Sequence, residues 1–167
     1  MTIKRYVANA DNTITNAFKG DLSTRATGSN AGMADSMEIF SIYGQATTSS
    51  AEASRALVQF DIASIKNDRT SGIIPGNGSV SFYLKMFNAE HIETTPKNYV
   101  LAIQAVSQSW EEGNGLDLDE RKDLTNNSVG SNWIKRSGNN NWAVQGGDFH
   151  TVPVFTASFS SGLEDLE

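Results

Sequence analysis

The stretch WEEGNGLDLDERKD (110–123) crowds carboxylates around a Gly-Asn-Gly turn. Asp117, Asp119 and Asp123 with Asn114 place hard oxygen donors on one tight loop, a set that suits Ca²⁺ better than Zn²⁺. The loop is not an EF-hand, because Arg121 stands at the third ligand place and no Gly follows it. The competing reading is a solvated acidic loop whose charge Arg121 and Lys122 neutralise by surface ion pairs. On the sequence alone both stay open.

Catalysis finds less support. A carboxylate pair for glycoside hydrolysis can be drawn from Glu111 and Glu112, or from Asp117 and Asp119, but carboxylates are common. His91 and His150 are the only histidines, and neither lies in a metalloprotease or Ser/His motif. There is no G-x-S-x-G elbow and no Walker-type or dinucleotide loop. GSNAG (28–32), the nearest Gly-rich stretch, lacks a following Lys-Ser/Thr and a helix to cap. The expectation is a non-enzymatic protein with no catalytic residue and no cofactor other than Ca²⁺.

Trp110, Trp133 and Trp142 form a second constellation, the last two within NWIKRSGNNNWAVQGGDF (132–149). Trp133 and Trp142 with Asp148 have the chemistry to contact a sugar or a partner, rings stacking while polar groups bond hydroxyls. Core or rim packing is the commoner fate of a tryptophan beside a strand.

These residues need strands to hold them. SVSFYLKMF (79–87) places Val80, Phe82, Leu84 and Met86 on one face, and RALVQFD (55–61) does the same with Ala56, Val58 and Phe60. YVLAIQAVS (99–107) is apolar on both faces, as expected of a central strand, while MEIFSIY (37–43) and VPVFTASF (152–159) are weaker, with Pro153 suited to an edge. Turn signals separate them at GSNAG, IPGNG (74–78), EGNG (112–115), SGNNN (137–141) and QGG (145–147). Helical spacing is limited to a turn near ITNAF or ERKDL. An all-β fold follows, an antiparallel β-sandwich of jelly-roll type with long Gly/Asn-rich loops, expected as a single domain over 1–167.

Bulk composition agrees. At 167 residues one domain has length enough for a core, and Gly, Ser, Thr and Asn fill what modest apolar and charged fractions leave. A net charge of −6 disfavours nucleic-acid binding. Without cysteine there is no disulfide and no thiolate metal site, and no apolar run approaches a membrane span. The first residues carry no signal-peptide h-region, so export by the usual route is not expected if Met1 is the native start.

The ordered signals together resemble the DNRLRE-type domain, a β-sandwich related to certain carbohydrate-binding modules of secreted proteins. ADNTI near residue 10 and SNAG near 30 are similar to its opening strand and Asn-x-Gly turn. SRALVQFDIASI (54–65) resembles its most distinctive strand, with Arg55, Phe60 and Asp61 at the usual Arg, Phe and Asp. SVSFYLKMF looks like the strand that follows, VSQSWEEGNGLD like its Trp-x-Glu-Gly element around Trp110, and WIKRSGNNNWAVQGGDF like its Trp…Trp…Gly-Gly-Asp stretch. The Arg…Phe-Asp strand and the Trp-Glu-Gly turn carry most of the weight.

The resemblance implies a scaffold whose structural residues are Arg55, Phe60, Asp61 and Trp110. Such domains serve as stalk, adhesion or sugar-binding modules, and similar sandwiches occur in virion proteins of tailed phages, which NADNTITNAF and MEIFSIYGQ resemble most. The expected function is that of a virion structural protein, a head-surface decoration or a tail component, assembled in the host cytoplasm and contacting other subunits or itself. The alternative is an extracellular carbohydrate-binding or adhesion module that takes a glycan. The resemblance implies further strands beyond SFSSGLEDLE, so the expectation is a fragment, a strand supplied in trans, or an edge covered by a neighbouring subunit, the last two favoured. The expectation is that residues 150–167 or the facing edge pair with another chain.

Overall fold

In the computed structural model the described residues are 3–76, 80–89, 98–116, 130–152 and 155–159. They are β-rich with one short helix: β1 (Ala8–Thr15), β2 (Ser41–Tyr43), β3 (Ala51–Phe60), α1 (Ile62–Thr70), β4 (Tyr99–Ile103), β5 (Lys135–Ser137), β6 (Asn140–Asn141) and β7 (Phe155–Phe159). No helix among them is long and apolar enough to cross a membrane. The chain divides into two compact units, Met1–Asp61 with Val106–Asp148, and Ile62–Ala105 with Phe149–Glu167.

The first unit is built on a three-stranded antiparallel sheet in the order β1-β3-β2. The β1–β3 ladder runs from Thr15↔Ser54 to Ala8↔Phe60, with a bulge between Ala8 and Ala10. The outer edge of β1 is covered too: Ile14 bridges Asn30, and the Ala31 N–H donates to the Thr13 carbonyl. Flanked on both edges, Asn12 to Thr15 are all buried. Of the expected MEIFSIY strand only Ser41–Tyr43 pairs. Over residues 38–40 the Ser54 hydroxyl substitutes for a ladder, accepting from the Phe40 N–H and donating to the Glu38 carbonyl.

The apolar cluster is small: Ile14, Leu57, Trp133 and Trp142, with Ala53, Val106 and Trp110 against it. On β3 it therefore takes the face of Ala53, Arg55 and Leu57. Ala56, Val58 and Phe60, the face marked by apolar alternation, are only half-buried. Besides the small Ala17, Ala26 and Ala31, much of the interior of this unit is polar, with Asn12, Thr13, Thr15, Ser29, Asn30, Glu52, Ser131 and Asn132 all buried. Hydrogen bonding must therefore specify this interior as much as hydrophobic contact does.

In the second unit the structure departs from the sequence pattern three times. The chain after Phe60 is helical, so SRALVQFDIASI does not continue as a strand to residue 65. Helix α1 buries no residue, and a helix without an apolar stripe leaves no periodic signal. YVLAIQAVS forms β4, but its residues alternate in exposure instead of burying both faces, and its one partner among the described residues is β7. Residues 80–87 of the expected SVSFYLKMF strand carry no ladder among the described residues. The β4–β7 register, Tyr99↔Phe159 to Ile103↔Phe155, does place Phe155–Phe159 of the expected VPVFTASF strand in a ladder. Pro153 lies outside the described residues.

Candidate functional site

The acidic stretch meets the SNAG turn on β1 at a crossing of four backbone segments. The Asn12 amide donates from Nδ2 to both the carbonyl and the hydroxyl of Ser131, 2.9 Å each, and its Oδ1 accepts from the Ala31 N–H at 3.1 Å. Asn30 Oδ1 accepts from the Gly115 N–H at 2.8 Å, and the Gly115 carbonyl accepts from the Met33 N–H at 2.9 Å. The Ser131 N–H closes the crossing on the Glu111 carbonyl at 2.8 Å. A Cβ on Gly113 would overlap the Asn30 side chain, and one on Gly115 the Asn30 carbonyl. Gly130, at φ +93°, lies equally close to the Glu112 carbonyl. Close backbone approach is what these glycines provide.

The carboxylates beside the turn face apart. Glu111 Oε2 accepts from the Gly138 N–H of the β5–β6 hairpin at 3.1 Å, while Glu112 Oε1 accepts from the Asp11 N–H of β1 at 2.9 Å. Each is anchored to a different backbone segment. Partial burial and the neighbouring Glu112 charge raise the Asp11 pKa above its ordinary value. Asn114 is exposed at the tip of the turn. Asp117, Asp119 and Asp123, the other members of the expected Ca²⁺ set, lie outside the described residues. Among the described residues no three His, Asp or Glu side chains are grouped to hold a metal ion.

The tryptophans are internal. Trp133 and Trp142 are 7% and 5% exposed and belong to the core cluster, so neither offers a free ring face on which a sugar could stack. The Trp142 Nε1–H donates to the Asn132 carbonyl at 2.9 Å. Asn132 Oδ1 in turn accepts from the N–H groups of Ile134 and Lys135, turning the chain into β5. The Asp148 carboxylate accepts from the N–H groups of Ala143 and Val144 at 2.9 and 2.7 Å, closing the loop after Trp142. Of the three residues expected at a sugar or partner contact, Trp133 and Trp142 are thus buried in the core cluster, while Asp148 is half-buried with its carboxylate on two backbone N–H groups.

Arg55 occupies the inner face of β3 with its guanidinium carbon 4.9 Å from the centre of the Trp133 ring, and its Nη1 donates to the Gly146 carbonyl. Burial lowers its pKa. Phe60 ends β3 opposite Ala8, half-buried, and Trp110 packs half-buried against the core cluster. Asp61 is exposed, immediately before α1, at the N-cap position that favours Asp.

The residues that sequence reasoning did not single out are the buried amides and hydroxyls Asn12, Asn30, Ser131 and Asn132. Their signal was an Asn set among small residues beside Gly, a setting that gives a short side chain access to backbone groups. Fold and site together define a β-rich protein whose polar side chains hold backbone segments in place. Comparison with protein-family models, curated proteins and solved structures finds no match.

Proposed function

We propose that the chain is a non-enzymatic structural protein of a tailed-phage virion, on the head surface or in the tail, acting through protein–protein contacts. Its scaffold is a β-sandwich of jelly-roll type, akin to the DNRLRE-type domain that its motifs resemble. One observation carries the reading. Among the described residues of the first unit, Glu111, Glu112 and Asp148 accept from backbone N–H groups and Trp133 and Trp142 are buried, whereas large apolar side chains of the second unit at Phe82, Tyr83 and Phe87 stand exposed. An exposed apolar run marks a contact surface more than a reaction centre. Asn12, Asn30 and Glu112, from three of the motifs, meet Ser131 at one crossing, which supports a scaffold role for that part of the chain.

The carbohydrate-binding alternative loses its stacking platform with the burial of Trp133 and Trp142. Mass spectrometry of gradient-purified particles from the native source tests the proposal, and the chain should band with them in many copies. Recovery only as free protein in the culture supernatant, together with binding on a glycan array, would overturn it in favour of the alternative.

A further inference from the structure

Phe82, Tyr83 and Phe87 are 65%, 89% and 75% exposed, with Leu84 and Met86 beside them, and their segment joins no ladder among the described residues. Lys85 is the single charge between Val80 and Asn88, and its ammonium lies over the Phe87 ring at 5.1 Å. We propose that residues 80–88 form an antiparallel, two-fold seam with a second copy of this chain, with Leu84 on the symmetry axis. The inference rests on the protein–protein reading above and names the partner and the surface.

A second copy is the occupant because the segment complements itself. Two-fold pairing requires that residue i meet residue j while j meets i. About Leu84, Phe82 meets Met86, Tyr83 meets Lys85, Ser81 meets Phe87 and Val80 meets Asn88. Next to the axis, Leu84 meets Leu84 and Phe82 meets Met86 on one side, and the lone cation faces the Tyr83 ring on the other. Shifting the axis to Lys85 would place two ammonium groups directly opposite each other, which is destabilising. Three exposed aromatic side chains per copy, at about 150–250 Å² each, bring roughly 1,000 Å² of apolar surface to the two copies. That is at the lower bound of about 1,000 Å² that a specific interface has to clear.

The chain has no cysteine, so single-cysteine variants are clean probes. Residues directly opposite in an antiparallel pair have Cα atoms about 4.5–5.5 Å apart, within the range a disulfide spans. Leu84→Cys should therefore form a covalent dimer under mild oxidation. Met86→Cys should not pair with itself but should pair with Phe82→Cys when the two variants are mixed. In sedimentation equilibrium the wild-type chain should dimerise, and Leu84→Lys should weaken the dimer by at least about tenfold, because like charges meet on the axis. Circular dichroism should show that the variant keeps its fold, since Leu84 is exposed. A monomeric wild type at all concentrations, or equal self-crosslinking by Leu84→Cys and Met86→Cys, would overturn the seam. A monomer that still bands with particles would assign the surface to another virion protein and remove only the second-copy seam. A crosslinked dimer absent from particles would keep the seam and remove the virion reading.

Discussion

The guanidinium of Arg55 lies over the ring of Trp133, 4.9 Å from its centre, and bonds the carbonyl of Gly146, so one side chain joins β3 to two other segments of the first unit. The Gly146 N–H returns a 2.7 Å bond to the Trp133 carbonyl, and a Cβ on Gly146 would press on both the ring and the guanidinium. Charge on the inner face of a strand is tolerated here because the cation finds a ring face and a carbonyl together.

Arg55→Ala should consequently destabilise the protein by about 1–3 kcal/mol, through the lost charged hydrogen bond and the unfilled space over the ring. Arg55→Lys should recover only part of this, because an ammonium on a flexible stem cannot stack as a planar fork does. Denaturant melts check the energies, and the near-UV dichroism of Trp133 should change in both variants. Full recovery by lysine would mean that charge alone matters.

At the crossing, Gly113→Ala and Gly115→Ala should each cost at least about 2 kcal/mol, since the added methyl meets the buried, hydrogen-bonded Asn30 side chain in the first and the Asn30 backbone carbonyl in the second. Gly20→Ala is the control. Nothing stands within 4 Å of its added Cβ and its φ is ordinary, so its effect should stay within about 0.5 kcal/mol. Thermal melts of the three variants at one pH are sufficient, and equal shifts would refute the close approach.

Two aspartates should pull stability in opposite directions with pH. The N–H groups of Ser23 and Thr24 bond the Asp21 carboxylate and lower its pKa from 3.8 to about 2. Its contribution is present above 3.8 and is lost as the pH falls toward about 2. Asp11 is raised above 3.8, so the folded state holds its proton longer than the unfolded chain does, and stability falls as the pH rises from 3.8 through its folded pKa. Asp11→Asn should remove the second slope and Asp21→Asn the first, as read from denaturant melts across pH 2 to 6. Coincident profiles of both variants with wild type would refute the assignments.

The elements legible in the sequence were those with an apolar period. β3, β4 and β7 fall where alternation placed strands, though Arg55 and Leu57 show that alternation misidentified the inner face of β3. Periodicity assumes that the buried face is the apolar one, and here a stacked cation and buried Asn, Ser and Glu side chains occupy the interior. Helix α1 was invisible to that method, yet its ends were marked by Asp61 before it, Arg69 in its last turn and Gly72 at φ +77° after it. The crossing was half legible. The Gly-Asn-Gly turn stood out as a turn, but nothing local showed that Asn30, more than eighty residues away, closes on it.

That long-range bond also governs the chemistry of Asn114. An Asn-Gly pair loses ammonia when the glycine nitrogen attacks the asparagine side-chain carbonyl carbon; a cyclic imide forms, and water opens it to aspartate or isoaspartate. Asn114 is exposed and followed by Gly115, so the sequence alone marks it as labile. In the fold the attacking nitrogen is not free: its N–H donates to the buried Asn30 Oδ1 at 2.8 Å, and the Gly115 backbone is packed against Asn30. Attack requires the crossing to open first. If opening costs at least about 1.4 kcal/mol, the native rate falls by at least about tenfold relative to the unfolded chain. Peptide mass spectrometry after incubation at mildly alkaline pH should therefore show slow conversion at Asn114 in the native protein and fast conversion in denaturant. Asn30→Ala, once circular dichroism shows that it is folded, should move the native rate toward the denatured one. Equal rates for native and denatured wild type would show that the Gly115 nitrogen is not held.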